Sequence, residues 1–368
     1  MANSSYQIPT TPKLYISYPL FQYSNGHDIT GYYGGGYSPG SDTELVSTTQ
    51  IQHRRGTIYN DQDQEDYVLF PFRIGKKSWN IIENGIWDFD YLMILDHTFA
   101  EDNVYPTLEV RDESDTYYHE ELELQNIINY NVNGPPEYNG WSLIKIAGMP
   151  STSELNLLDI KILHEAGTAP EFEMGSILFG KEYTFPQNCK LNTSLNVSYG
   201  IKTMKTITGK TLTKANWTKT QRGVTEPFGL YGEPSQGSIS GQELDQFEKN
   251  FIRGRRSGIR TWTMEFDSLG PDKVMNQNPM LNNNNWTASD NHTLNADGSS
   301  LYNIHSSPDF YTSVVHKLMG SHLKCVLALD KDSTNPDNFV VVRMNKDYKI
   351  TQKSPNLYNI KVSFEEQI

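Results

Sequence analysis

Cysteine is nearly missing from this chain: Cys189 and Cys325 are the only two in 368 residues. Two thiols far apart in sequence, each in strand-like surroundings, exclude a disulfide framework and a cysteine-rich zinc site. Cations are scarce too, with 31 Lys and Arg against 44 Asp and Glu and a formal net charge of -13. Nucleic-acid binding is dominated by Lys and Arg that neutralise phosphates, so this balance argues against nucleic acid as the main partner. The one basic cluster is RGRRSGIR, Arg253 to Arg260. It reads as a solvated turn entering a strand, with Arg253, Arg255 and Arg256 as candidates for contact with an acidic neighbouring subunit. No apolar run reaches the length of a membrane-spanning helix. The start, MANSSYQIPTTPKLYISYPLF, lacks a basic stretch followed by an apolar one, so a soluble protein made in a cytoplasm is expected.

Motifs that carry chemistry are also lacking. His97 in LDHTF lies beside Asp96, the arrangement of a base and its orienting carboxylate, but no nucleophile motif accompanies it and a structural histidine at a strand end is expected. HEELE from His119 and HEAG from His164 lack the second histidine of a zinc-protease helix. DQDQED, Asp61 to Asp66, resembles a calcium loop, yet its sixth position is Asp66 instead of Gly and its twelfth is Phe72 instead of Glu; DKDSTNPD, Asp330 to Asp337, lacks the closing Glu. Both read as solvated turns. The glycines Gly34, Gly35 and Gly36 are not followed by Lys-Ser/Thr, which argues against a phosphate-binding loop. The run DESDTYYHEELE holds six carboxylates, enough for a glycosidase pair, but a charged hairpin edge is the simpler reading. No catalytic constellation emerges and no metal or cofactor is called for, which leaves binding and assembly.

What the chain has in plenty is aromatic and polar: 22 Tyr, 15 Phe and 6 Trp, with only 20% charged residues, a composition that argues against disorder. Its length suggests two or three domains. Residues 1–60 are polar and turn-rich and read as an arm or loop segment that packs on the domain over 184–368. Residues 61–183 alternate short apolar runs with turn signals, YVLFPFRI, FDYLMILDHTF, TLEVRD, WSLIKIAG and LNLLDIKILHEAG, which fits an antiparallel jelly-roll β-sandwich. Residues 184–368 are strand-rich again, with one helix expected over 308–319. Ser307 is placed to cap it, Pro308 suits its first turn, Phe310, Val314 and Leu318 form its apolar stripe, and Gly320 is placed to end it. An Asn-rich stretch over 270–306 reads as an insertion. The last residues alternate strictly: Tyr358, Ile360, Val362 and Phe364 are apolar, with Asn359, Lys361, Ser363 and Glu365 between them. That is the period of a strand with one buried face. Its partner is a strand of the same chain or of another copy, and the four apolar residues are candidates for a subunit interface.

The order of several segments resembles the distal-tail or minor tail-tip proteins of tailed bacteriophages, in particular those of aquatic phages. FDYLMILDHTF is similar to a strand of that family, EMGSILFGKEYTFPQN to its central join, and IKTMKTITGKTLTKANW to its hairpin. RRSGIRTWTMEFDSL, DFYTSVVHKLMGSHL and NFVVVRMNKDYKITQKSPNLYNIKVSFEEQI follow in the family's order. The chain departs from the family at TQRGVTEPFGLYGEPS and in the Asn-rich insertion. The resemblance implies a tail-tube-like β-sandwich with one packed helix, carrying an appended jelly-roll. It also implies a virion protein at the tail tip that forms a ring, commonly a hexamer, and joins the tail tube to the hub and the receptor-binding fibres. The family has no active site to carry over.

The expectation is therefore a mostly β, non-enzymatic structural protein whose partners are its own copies and other tail proteins. The alternative is a tail protein that binds or degrades a host surface glycan. Trp79, Trp87, Tyr117, Tyr118, Tyr138 and Trp141 are the aromatic candidates for a sugar site, and the carboxylates of Asp112 to Glu123 are the candidates for chemistry.

Overall fold

A computed structural model describes residues 10–17, 56–59, 67–73, 89–111, 119–147, 157–164, 171–190, 193–198, 201–215, 238–239, 242–243, 259–275, 309–345 and 348–367. The first strands are β1 Lys13–Ser17, β2 Gly56–Tyr59, β3 Tyr67–Arg73, β4 Tyr91–His97, β5 Val104–Arg111, β6 His119–Glu121 and β7 Glu123–Ile128. Next come β8 Gly140–Ala147, β9 Leu157–His164, β10 Glu171–Met174, β11 Ser176–Thr184, β12 Ser194–Ser198, β13 Ile201–Lys205 and β14 Thr211–Ala215. The last are β15 Ser238–Ile239, β16 Gln242–Glu243, β17 Ile259–Leu269, β18 Lys324–Ala328, β19 Phe339–Met344, β20 Lys349–Ser354 and β21 Leu357–Glu366. The protein is mostly β, as the alternating sequence pattern predicts.

Eleven of these strands make one antiparallel sheet in the order β12-β17-β21-β19-β18-β1-β11-β4-β8-β7, with β20 beside β21. A four-stranded sheet, β3-β9-β5-β6, packs on part of it. Leu108, Val110, Leu158, Ile160 and Ile162 from the smaller sheet share a core with Leu92, Ile94, Ile144, Ile146, Ile177 and Phe179 from the larger. This is a β-sandwich, and the period of two explains it: alternate side chains of each strand point to one face.

The large sheet has a second core on its other face, so β4 is buried along its whole length. Tyr91, Met93 and Leu95 point into this second core while Leu92 and Ile94 point into the first. A strand covered on both faces needs a continuous apolar run, and YLMIL supplies it. The second core gathers Trp141, Trp262, Met264, Phe266, Phe339, Ile360, Val362 and Phe364, with Phe185 stacked on Phe266 at 4.3 Å between centroids.

The helical element closes this core. Tyr311–His316 is a π-helix, not an α-helix, with Gly320 N–H bonded to the Val315 carbonyl and Leu323 N–H to the Leu318 carbonyl. Phe310, Val314 and Leu318 are fully buried, as their spacing predicts. The cap comes from Asp309, whose Oδ1 accepts the Thr312 N–H at 2.9 Å; Ser307 and Pro308 lie outside the described residues. The wider π turn keeps the apolar stripe on the sheet, although i, i+4 spacing had implied an α-helix.

Three expectations change in the structure. First, Lys13–Ser17, inside the segment read as an arm, is an inner strand paired with β11 on one side and β18 on the other. Tyr15 packs edge-on against Tyr91 at 5.0 Å, and β1 carries the large sheet across the boundary drawn at 183/184, so both segments share a sheet and a core. Second, the stretch read as an insertion over 270–306 starts with a helical turn, Pro271–Val274, whose Val274 is buried in the second core; residues 276–306 lie outside the described residues. Third, β21 is no edge. It is flanked by β17, β19 and β20, and Ile360, Val362 and Phe364 are fully buried while Tyr358 is half-buried against the same core. Its alternation marks a buried face inside this chain and does not mark a contact between copies.

Candidate assembly surface

Of the sequence candidates for chemistry, His97 lies in a buried hydrogen-bond network. Phe99 N–H donates to His97 Nδ1 at 3.3 Å, so the ring proton sits on Nε2, which lies 2.9 Å from Ser142 Oγ. Ser142 Oγ donates to the Asn129 carbonyl at 2.7 Å. The histidine thus gives a hydrogen bond to the serine and is not set to take its proton. Both side chains are buried, and Asn129, at φ 53°, also holds the Tyr138 and Trp141 backbone through its amide. This network fixes the turn between β7 and β8.

The carboxylates divide into two groups. Glu121 and Glu123 are exposed on β6 and β7, while Glu109 and Asp159 face each other across β5 and β9 and are buried, with Lys161 Nζ 2.5 Å from Glu109 Oε2. Sequence reading did not single out Glu109 or Asp159; the signal was their place at the polar positions of two strands that pair. In DKDSTNPD, Asp330 Oδ1 accepts the Asp332 N–H at 3.2 Å and Lys331 Nζ pairs with Asp332 at 2.7 Å, so one carboxylate is tied to the turn's backbone and another to its lysine. Among the described residues no cluster of three or more His, Cys, Asp or Glu could hold a metal ion.

Of the aromatic sugar candidates, Trp141 is fully buried and packs on Phe339 at 5.4 Å, so its faces are already covered by protein. Tyr138 is half-buried, and burial next to Glu137 pushes its phenol up to about 12. Trp79, Trp87, Tyr117 and Tyr118, like Arg253, Arg255 and Arg256, lie outside the described residues. The neighbouring Arg260 turns inward. Its backbone N–H and guanidinium donate three hydrogen bonds, of 3.0, 3.2 and 2.9 Å, to the buried Glu366 carboxylate, and it lies over the Trp262 ring.

The surface that stands out lies at the β12 end of the large sheet. β12 pairs with β17 on one side, and every one of its residues is exposed. Soon after it comes the hairpin β13–β14, with Thr203 opposite Thr213 and Met204 opposite Leu212. Its turn follows from the sequence TITGK. Gly209 N–H reaches the Thr206 carbonyl at 2.9 Å, and Gly209 takes φ +81°, the left-handed position that a three-residue hairpin loop requires. Thr206 Oγ1 accepts the Lys210 N–H at 3.1 Å and locks the loop.

Six of the ten exposed large apolar side chains among the described residues fall between Leu195 and Leu212: Leu195, Val197, Ile201, Met204, Ile207 and Leu212. Ile207, at the hairpin tip, is fully exposed, and Met204 is 70% exposed. Leu195 and Val197 share one face of β12, and Met204 and Leu212 share one face of the separate hairpin sheet, with Ile201 on its other face; apolar side chains exposed together in one stretch of chain suit a contact with something else. Among the described residues no strand pairs with the other side of β12, an edge at which a further strand can add. Sequence reading recognised the hairpin by resemblance and missed this patch, although IKTMKTITGKTLTKA shows it in part, with four lysines and no carboxylate in a strongly acidic chain. No family model, no curated protein and no solved structure matches this chain.

Proposed function

We propose that this protein is a non-enzymatic structural subunit of the tail tip of a tailed bacteriophage. Its copies close into a ring, a hexamer in the commonest arrangement of the family it resembles, and the ring joins the tail tube to the hub and the receptor-binding fibres. The observation that carries this reading is the exposed apolar patch on β12 and the β13–β14 hairpin, a surface that suits burial against another subunit. The segments that carry the family resemblance support it further. FDYLMILDHTF falls on β4, EMGSILFGKEYTFPQN on β10 and β11, and IKTMKTITGKTLTKANW on the hairpin. A closed ring also satisfies open strand edges that a lone subunit leaves exposed to aggregation.

The test is location and copy number in purified particles. Gold-labelled antibody against this protein should decorate the distal end of the tail, with quantitative mass spectrometry giving a few copies per particle. Labelling along the whole tail would make it a tube subunit, and absence from the particle would overturn the proposal.

A further inference from the structure

Asparagine followed by glycine is the dipeptide most open to loss of its side-chain amide. Two such pairs, Asn133–Gly134 and Asn139–Gly140, fall among the described residues, both in the stretch that joins β7 to β8. We propose that Asn133 is a site of spontaneous deamidation in the folded protein, while the fold protects Asn139. Neither residue belongs to β12 or the hairpin, so the ring reading is not involved.

The chemistry needs the next backbone nitrogen to reach the side-chain amide carbon. The Gly134 nitrogen attacks Asn133 Cγ and a C–N bond closes a succinimide ring; the side-chain nitrogen leaves as ammonia, with the proton that the Gly134 nitrogen gives up. Water then opens the ring. Opening at one carbonyl gives aspartate, and opening at the other gives isoaspartate, in which the main chain runs through the former side chain. Glycine has no Cβ to crowd the attacking nitrogen.

The two asparagines differ in what holds them. Asn133 is exposed and sits at φ 59°, a left-handed turn position that asparagine tolerates. No hydrogen bond holds its carboxamide among the described residues. A Cβ added to Gly134 would meet no atom within 4 Å, so the space beside the attacking residue is open. Gly134 bridges Asn131 in a single isolated rung, and such surface turns open locally at little cost. Asn139 has the same sequence neighbour and the opposite surroundings. It is buried, its Oδ1 accepts the Glu101 N–H at 3.1 Å, and its Nδ2 donates to Glu101 Oε2 at 3.1 Å. Gly140 opens β8 opposite His97. Swinging Asn139 Cγ onto the Gly140 nitrogen would therefore break both bonds, whereas Asn133 gives up none.

Conversion at Asn133 adds a negative charge beside Val132, which is 64% exposed, and the isoaspartate form lengthens the backbone between the two bridge residues. The Asn129 amide still holds the Tyr138 and Trp141 carbonyls, so the core keeps its packing. Aged copies then present a different turn from fresh ones.

The test is peptide mapping by mass spectrometry of the full chain after incubation, folded, at mildly alkaline pH, with isoaspartyl and aspartyl peptides separated by elution. The expected result is conversion at Asn133, part of it to isoaspartate, with Asn139 intact. The same incubation in urea should convert both, which assigns the difference to the fold. Gly134→Ala, which the open space accommodates, should slow conversion at Asn133 severalfold. An Asn133 that stays intact in the folded chain, an Asn139 that converts as fast, a product that is aspartate alone, or a Gly134→Ala variant that converts like the parent would each overturn the assignment.

Discussion

Truncating Phe364 to alanine tests whether β21 belongs to the core of its own chain. The side chain is fully buried, opposite Trp262 on β17 and beside Met344 on β19. Removing a buried phenyl ring costs about 3–5 kcal/mol, the transfer term plus the cavity left behind. With an m-value of about 3 kcal/mol/M, that loss moves a urea midpoint by about 1 M or more. Tryptophan fluorescence suits the assay because Trp262 sits across the strand pair from the substitution. Phe364→Leu, which keeps most of the volume, should lose much less. The key comparison is the shift between variant and parent at two protein concentrations. A side chain buried within one chain gives the same shift at both, whereas one buried between copies gives a shift that depends on concentration. A loss below about 1 kcal/mol, or a shift that changes with concentration, would refute the burial argument.

Glu366→Ala removes the acceptor of three Arg260 hydrogen bonds and should destabilise by about 1.5–3 kcal/mol, with Glu366→Gln losing less, as read from urea midpoints. Gly209→Val meets no atom within 4 Å of its added Cβ but forces φ +81° on a branched residue, so it should weaken the hairpin and the assembly while leaving the core's urea midpoint unchanged; hydrogen exchange at Lys210 is the check. Tyr130 and Tyr138 are both pushed up to about 12, mainly by burial. An unfolded tyrosine ionises near 10, so the stability they add is complete below pH 10 and is lost as pH rises through about 12. Replacing both by phenylalanine should flatten that alkaline loss in unfolding curves taken across the range. Cys325 is fully buried and its thiol is pushed up by desolvation, so a thiol reagent at neutral pH should reach it only on unfolding, while the half-buried Cys189 reacts sooner.

Strands were legible in this sequence wherever one face alone is buried. NLYNIKVSFEE alternates cleanly and forms β21, whereas WSLIKIAG forms β8, which is buried on both faces over its first five residues, with Trp141 and Leu143 in one core and Ile144 and Ile146 in the other. The alternation of β21 says that Ile360, Val362 and Phe364 are covered, but a period of two carries no information on which chain covers them. Lys13–Ser17 was hidden for a different reason: its five residues sit among turn-forming residues, and only pairing with β11 and β18, far along the chain, makes them a strand. The helical stripe of Phe310, Val314 and Leu318 was plain, yet the π geometry was not, because hydrogen bonds one residue longer leave much the same side chains on the buried face.

The candidate surface was the hardest part to read. Gly209 announces the turn, and the lysines announce a basic hairpin, but Met204, Ile207 and Leu212 look like ordinary strand residues until their exposure is seen. Sequence pattern separates apolar from polar positions; it does not tell an inward face from a face that waits for a partner. The same limit misplaced Trp141, whose indole suits a sugar platform and instead fills the core against Phe339.

The central claim is that the exposed hairpin and strand edge exist to join copies of this chain, and the mass of the purified full-length protein by native mass spectrometry tests it most directly. The account predicts a closed assembly of several copies with a defined stoichiometry, seen as rings with a central hole when imaged. A single monomeric species across the accessible range of concentration would contradict it.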